Sequence, residues 1–135
     1  MKKIHSISFF VLLFLFACSS TEITETTTTT TTSSSKTLVK IEVVNTDGVI
    51  QKGISVDLCG TEITDTKPTT IIKTVVTGTD GIATFDIESY ITTTPKTLYF
   101  GVFKSYGNDY ILSGKCKVEY LKKGTEYKTN LILLK

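Results

Sequence analysis

The chain reads as all-β: a single antiparallel β-sandwich of about seven strands, following a signal peptide and a disordered tether. Three observations predict this. Between residues 37 and 135, short apolar runs alternate with polar residues at the period of two that half-buried strands show. Groups rich in Asp, Asn and Gly separate these runs at turn-like intervals. No window carries a helical period, and the residues after the leader are rich in Thr, Ile, Val, Leu, Tyr and Lys, which favours strands.

Residues 1–17 have the three parts of an export signal. Lys2 and Lys3 give a positive start, Ile7 to Phe16 is apolar apart from Ser8, and Ala17 is a small residue before a cut. The apolar stretch from Ile4 to Ala17 falls short of the about 20 residues that a spanning helix needs. Leu15-Phe16-Ala17-Cys18 resembles the lipobox of bacterial lipoproteins. Leu15 and Ala17 fit that pattern, Cys18 is its obligatory residue, and Phe16 departs from the small or β-branched residues usual there. The resemblance implies cleavage before Cys18, acylation of its thiol and a membrane anchor. The alternatives are an ordinary signal peptide cut near Ala17, or a short uncleaved anchor. Each buried CH₂ contributes about 0.8 kcal/mol, so two or three acyl chains anchor a protein effectively permanently. Ser19, where Asp would signal inner-membrane retention under the enteric-type sorting rule, favours the outer membrane.

Cleavage there changes the composition. His5, the one histidine, lies in the leader, and the chain has no Arg or Trp. The formal net charge of +2 equals the two leader lysines, so the remainder is balanced. A neutral mixed surface makes no electrostatic case for nucleic acid or anionic lipid. Residues 18–36 follow as the lipidated cysteine and a Thr/Ser tether, with an unbroken run from Thr26 to Thr32 and then Ser33, Ser34 and Ser35. A segment with so little apolar area does not offset the entropy of ordering it, and is expected to be disordered. Dense Ser/Thr could also accept O-linked sugars.

The folded part spans 37–135. Its first strand lies within Thr37 to Thr46, closed by the turn Asn45-Thr46-Asp47-Gly48. Gly53 to Leu58 alternates cleanly, with Ile54, Val56 and Leu58 on one face. Gly60 to Thr69 is a polar loop containing Pro68, which argues against a central strand. Thr70 to Thr77 is the next strand, and Gly78-Thr79-Asp80-Gly81 is the strongest hairpin signal, since Asp-Gly suits the positive φ of such turns. Ile82 to Glu88 alternates with Ala83, Phe85 and Ile87 on one side. Leu98 to Lys104 and Tyr110 to Tyr120 form a hairpin across 105–109, and Leu121-Lys122-Lys123-Gly124 turns into a last strand, Thr125 to Leu134.

Three of these stretches together carry a second resemblance. Val43-Val44-Asn45-Thr46-Asp47-Gly48, Gly53-Ile54-Ser55-Val56-Asp57-Leu58 and Thr77-Gly78-Thr79-Asp80-Gly81-Ile82-Ala83-Thr84-Phe85 resemble the carboxypeptidase-regulatory-like, transthyretin-like modules. They are also similar to bacterial Ig-like repeats of the invasin type. The matched residues serve turns and core, so the resemblance implies a fold and not a reaction. The transthyretin-like hydrolases of the purine pathway rely on histidines and an arginine, and the mature chain has neither.

Cys59 and Cys116 are an even pair in an exported domain, hence a possible disulfide. Closing that loop would stabilise the fold by roughly 4 kcal/mol in the chain-entropy model. Alternation puts Cys116 on the core face with Tyr110, Leu112, Val118 and Tyr120, and Cys59 on the outward parity, so the pairing calls for a bulge at Gly60 or a strand that ends before Cys59. The other reading is one buried and one exposed thiol. Without histidine, Ser-His-Asp, Cys-His and His-based zinc arrangements are excluded after the leader. No phosphate-binding Gly-rich loop is present, and no cofactor is implied. Asp47, Asp80 and Asp109 fall in turns, where they read as backbone caps, or as a calcium site if gathered at one end. Asp57, Asp86 and Glu88 alternate outward as solvated residues. Tyr99, Phe103, Tyr106 and Tyr110 cluster around the 98–120 hairpin as a possible binding patch, with core packing as the plainer reading. These features lead to a membrane-anchored, non-catalytic interaction or structural module with a protein or glycan partner. A carbohydrate- or ligand-binding module is one alternative. An assembly lipoprotein of a secretion machine is the other, by analogy with the transthyretin-like lipoprotein of type VI secretion.

Overall fold

The computed structural model describes residues 29–92 and 96–134; the leader, Cys18 and the tether up to residue 28 lie outside them. Among the described residues, eight strands form two four-stranded sheets packed face to face. The strands are β1 (Thr30–Ser33), β2 (Leu38–Asn45), β3 (Ser55–Cys59), β4 (Ile71–Val76), β5 (Ile82–Asp86), β6 (Lys96–Tyr106), β7 (Asp109–Leu121) and β8 (Thr125–Leu133). Among the described residues a single 3-10 turn lies at Glu88–Tyr90. The first sheet has the order β1-β8-β2-β5 and the second β4-β3-β6-β7.

The alternating residues fill the space between the sheets. Val39, Ile41 and Val43 of β2, Ala83 and Phe85 of β5, and Leu131 of β8 are fully buried. Val56 and Leu58 of β3, and Leu98 and Phe100 of β6, meet them from the second sheet and are equally buried. Phe85 and Phe100 join the two sheets edge to face, with centroids 5.1 Å apart. Such a pair contributes about 0.5–1.5 kcal/mol beyond its buried area.

The sandwich matches the sequence expectation, and four features depart from it. The first is the extra strand. Thr30–Ser33, expected to be disordered, pairs antiparallel with β8 from Thr30↔Lys128 to Ser33↔Thr125. All four side chains are exposed, so this strand forms by backbone bonding to an edge that would otherwise leave its N–H and C=O groups unpaired. Threonine is also a good strand former. The second is that β2 and β8 run parallel over eight residue pairs, so the sandwich is not wholly antiparallel.

The third concerns Gly78-Thr79-Asp80-Gly81. It does turn, with Gly81 N–H donating to Gly78 C=O at 3.0 Å, and the Asp80 carboxylate caps Ile82 N–H at 3.0 Å. It does not close a hairpin, because β4 lies in the second sheet and β5 in the first. Gly81 has φ +72°, and a Cβ there would strike Ile50 Cγ2, so the crossing requires glycine. The fourth is the parity of β7. One extra residue at Ser113 and another before Leu121 shift its register against β6, and Tyr120 takes φ 55°. Cys116 and Val118 therefore face the core as expected, while Tyr110 and Tyr120 are exposed and Leu112 is half-buried.

Candidate binding surface

The β3–β6 register sets which residues share the outer face of the second sheet. Asp57 lies opposite Gly101 and Cys59 opposite Tyr99, while Leu58 and Phe100 point to the core. On the far side of β6, Phe100 pairs with Cys116. Cys59 and Cys116 thus project from opposite faces of one sheet, with β6 between them. The Cys59–Cys116 disulfide is not made, and both sulfurs are buried. The outward parity expected for Cys59 holds, but its exposure does not, because the loop of residues 60–70 folds over that face.

Three contacts hold the loop down. Ile63 is 2% exposed and packs where Gly101 leaves room; a Cβ on Gly101 would stand 2.8 Å from Ile63 Cδ1 and 2.9 Å from the Phe103 ring. The Lys115 ammonium donates to the Ile63 carbonyl at 3.0 Å. Lys67 then reaches back, its Nζ 3.5 Å from Asp57 Oδ2. Asp57, read from the sequence as a solvated residue, is buried beneath it and accepts the Thr74 hydroxyl.

The same Lys67 settles the state of the aromatic patch. Its Nζ lies 4.2 Å from the Tyr110 ring centroid and 5.8 Å from that of Phe103. Tyr99, Phe103 and Tyr110 lie on this outer face, since Tyr110 pairs with Ser105 in the parity of Phe103. Tyr106 has the other parity and is 74% exposed. It borders a notch of about 320 Å³ with Lys104, Ile111, Leu112 and Leu134. The structure therefore divides the four expected residues into a three-membered face covered in part by a lysine, and one tyrosine at the end of the sandwich. Asp57, Ile63 and Lys67 were not expected there. The available signals were the lone isoleucine in a polar loop and a glycine in mid-strand.

The chemistry of this face is subdued. Burial first, and the Asp57 carboxylate second, push the Cys59 thiol up to about 11, so it stays protonated near neutral pH and is a poor nucleophile. Among the described residues, no group of three or more His, Cys, Asp or Glu is placed to hold a metal ion, so Asp47, Asp80 and Asp109 do not gather as a calcium site. Among them, too, no helix is long and apolar enough to cross a membrane. No family model matches the chain, and no curated protein matches it. The fold itself is a β-sandwich compatible with an Ig-like domain.

Proposed function

We propose that this protein is an envelope lipoprotein, anchored through acylated Cys18, whose β-sandwich is a non-catalytic interaction or structural module. The observation that carries this reading is Leu15-Phe16-Ala17-Cys18 directly after a basic start and a short apolar run. Ser19 favours the outer membrane as its site. The module is of the carboxypeptidase-regulatory-like, transthyretin-like kind. Support comes from the face best suited to chemistry: its one thiol is buried and held protonated, and its carboxylate is engaged by Thr74 and Lys67. The carbohydrate-binding alternative is weakened by Lys67, whose ammonium lies 4.2 Å from the Tyr110 ring centroid. The secretion-machine alternative rests on fold and anchor alone.

The test is Cys18→Ala in the producing cell. Wild-type protein should pellet with membranes and take up a palmitate analogue, and the variant should do neither. A wild type that takes no label, with a variant that pellets equally, would end the proposal.

A further inference from the structure

The exposed apolar residues are not spread evenly over the sandwich. Eight large apolar side chains are exposed among the described residues: Val49, Ile50, Val76, Tyr106, Tyr110, Ile111, Tyr120 and Leu134. The strand registers put seven of them at one end. Ile50 bridges Val44, next to Asn45, which pairs with Leu133 at the close of β8. Val76 pairs with Ser55, and the adjoining Thr77 hydroxyl donates to the Gln51 carbonyl, tying β4 to the same loops. Leu134 N–H donates to Ser113 C=O at 2.6 Å, which seats it beside Ile111 and Tyr106 of the β6–β7 hairpin. Only Tyr120 lies at the opposite end, where Lys36, Asp86, Glu88 and Lys123 form ion pairs.

The chain reaches the domain from this apolar end. β8 climbs towards it from Thr125 to Leu133, and β1 descends from Thr30 opposite Lys128 to Ser33 opposite Thr125. Pairing of β1 also shortens the linker, leaving twelve residues from Cys18 to Thr30. Twelve residues reach at most about 40 Å when fully extended. The five residue steps from Lys128 to Leu133 already take about 17 Å. The linker therefore reaches past this end of the domain and keeps it within at most about 25 Å of the anchored residue.

We infer that the end of the sandwich bearing Tyr106, Ile111, Leu134, Val49 and Ile50 rests on the lipid surface to which Cys18 is anchored. This rests on the lipoprotein reading and adds an orientation to it. The contact is apolar rather than electrostatic: Lys104, opposite Ile111, lies at this end, but so do Asp109, opposite Tyr106, and the turn residues Asp47 and Asp80. A bilayer interface accepts tyrosine and aliphatic side chains of this kind. An isolated protein has no comparable cover for them, and patches of this sort mark interaction sites.

The chain has no tryptophan, so a single one reports position. The lipidated full-length protein is placed in phosphatidylcholine vesicles carrying brominated acyl chains, with and without phosphatidylglycerol. Tyr106→Trp is compared with Tyr120→Trp; the two tyrosines are 74% and 73% exposed, so neither change disturbs the core. Quenching should be several-fold stronger for Tyr106→Trp, and indifferent to phosphatidylglycerol and salt. Equal quenching in a protein that floats with the vesicles would overturn the orientation and leave the anchor standing. A protein that does not float, or floats equally well as Cys18→Ala, would overturn both.

Discussion

β1 and β2 flank the same strand, β8, and differ in almost everything that holds a strand in place. β2 pairs over eight residues and buries Val39, Ile41 and Val43 completely. β1 pairs over four residues, three of them within the threonine run, and every side chain is exposed. Both satisfy the backbone of β8. Only β2 adds apolar burial, at about 25 cal/mol per Å². A slip by one residue would turn its whole apolar set outward, whereas β1 has no set to turn. The comparison separates two tasks of a strand: closing an edge, which threonine does well, and specifying a register, which requires a buried face.

The largest expected difference is in stability. Ile41→Ala should cost about 2–5 kcal/mol, as core truncations do. Thr31→Ala should stay within about 0.5 kcal/mol, the usual range for surface changes. Urea unfolding of the two variants, made in the Cys18→Ala background, reads this directly; similar losses would mean that β1 is a structural strand like β2.

A smaller effect concerns the clasp between the two strands. Glu88 accepts both the N–H and the hydroxyl of Thr37, and the Thr37 hydroxyl accepts Gly124 N–H at 3.0 Å. Ser34 N–H, just past β1, donates to Gly124 C=O at 2.9 Å. The Thr37 hydroxyl bond first, with further help from its N–H and from Lys123, lowers the Glu88 carboxyl below its ordinary 4.5. A carboxylate depressed on folding adds stability that is complete above its unfolded value and is lost as pH falls through the folded one. The stability gap between wild type and Glu88→Gln should therefore be constant near neutral pH and close progressively below about pH 4.5. A gap that persists unchanged in strong acid would show that the carboxylate charge is not what the clasp uses.

The finest distinction is register. A two-residue slip of β1 that feeds chain into the connection to β2 keeps threonine at three of the four paired positions, puts Thr31 in place of Ser33, and moves Thr30 from Lys128 to Glu126. Thr30→Cys should then form a disulfide with Lys128→Cys and also, to a lesser extent, with Glu126→Cys under oxidation. Disulfide geometry does not tolerate the separation of residues two places out of register, so each bond reports its own alignment. A bond with Lys128→Cys alone would show that β1 has a single register despite its sequence.

The same contrast explains what could be read from the sequence. Strands with a buried face were legible, because alternation states which residues go inward. Turns were legible at Asp47-Gly48, Asp80-Gly81 and Lys123-Gly124, where glycine takes positive φ. The sheet to which each strand belongs was not, since an Asp-Gly turn looks alike whether it closes a hairpin or, as at Gly81, crosses the sandwich. β1 was hidden because its stabilisation is backbone bonding to a distant edge, which leaves no pattern in its side chains. The two bulges of β7 reversed the expected facing of Tyr110 and Tyr120, as inserted residues do without changing composition. The covering of Asp57 and Cys59 by the 60–70 loop depends on Lys67 and Ile63 folding back onto Gly101, a long-range contact with no local signature.

The proposed anchor hinges on Cys18, outside the sandwich. The most direct test is the mass of the N-terminal peptide of the mature protein, isolated from membranes and compared with the intact chain. The expected peptide begins at Cys18 and carries a diacylglyceryl group, with or without a further acyl chain on its amine. An unmodified peptide beginning at Cys18 or Ser19, or one that still contains Met1 to Ala17, would contradict it.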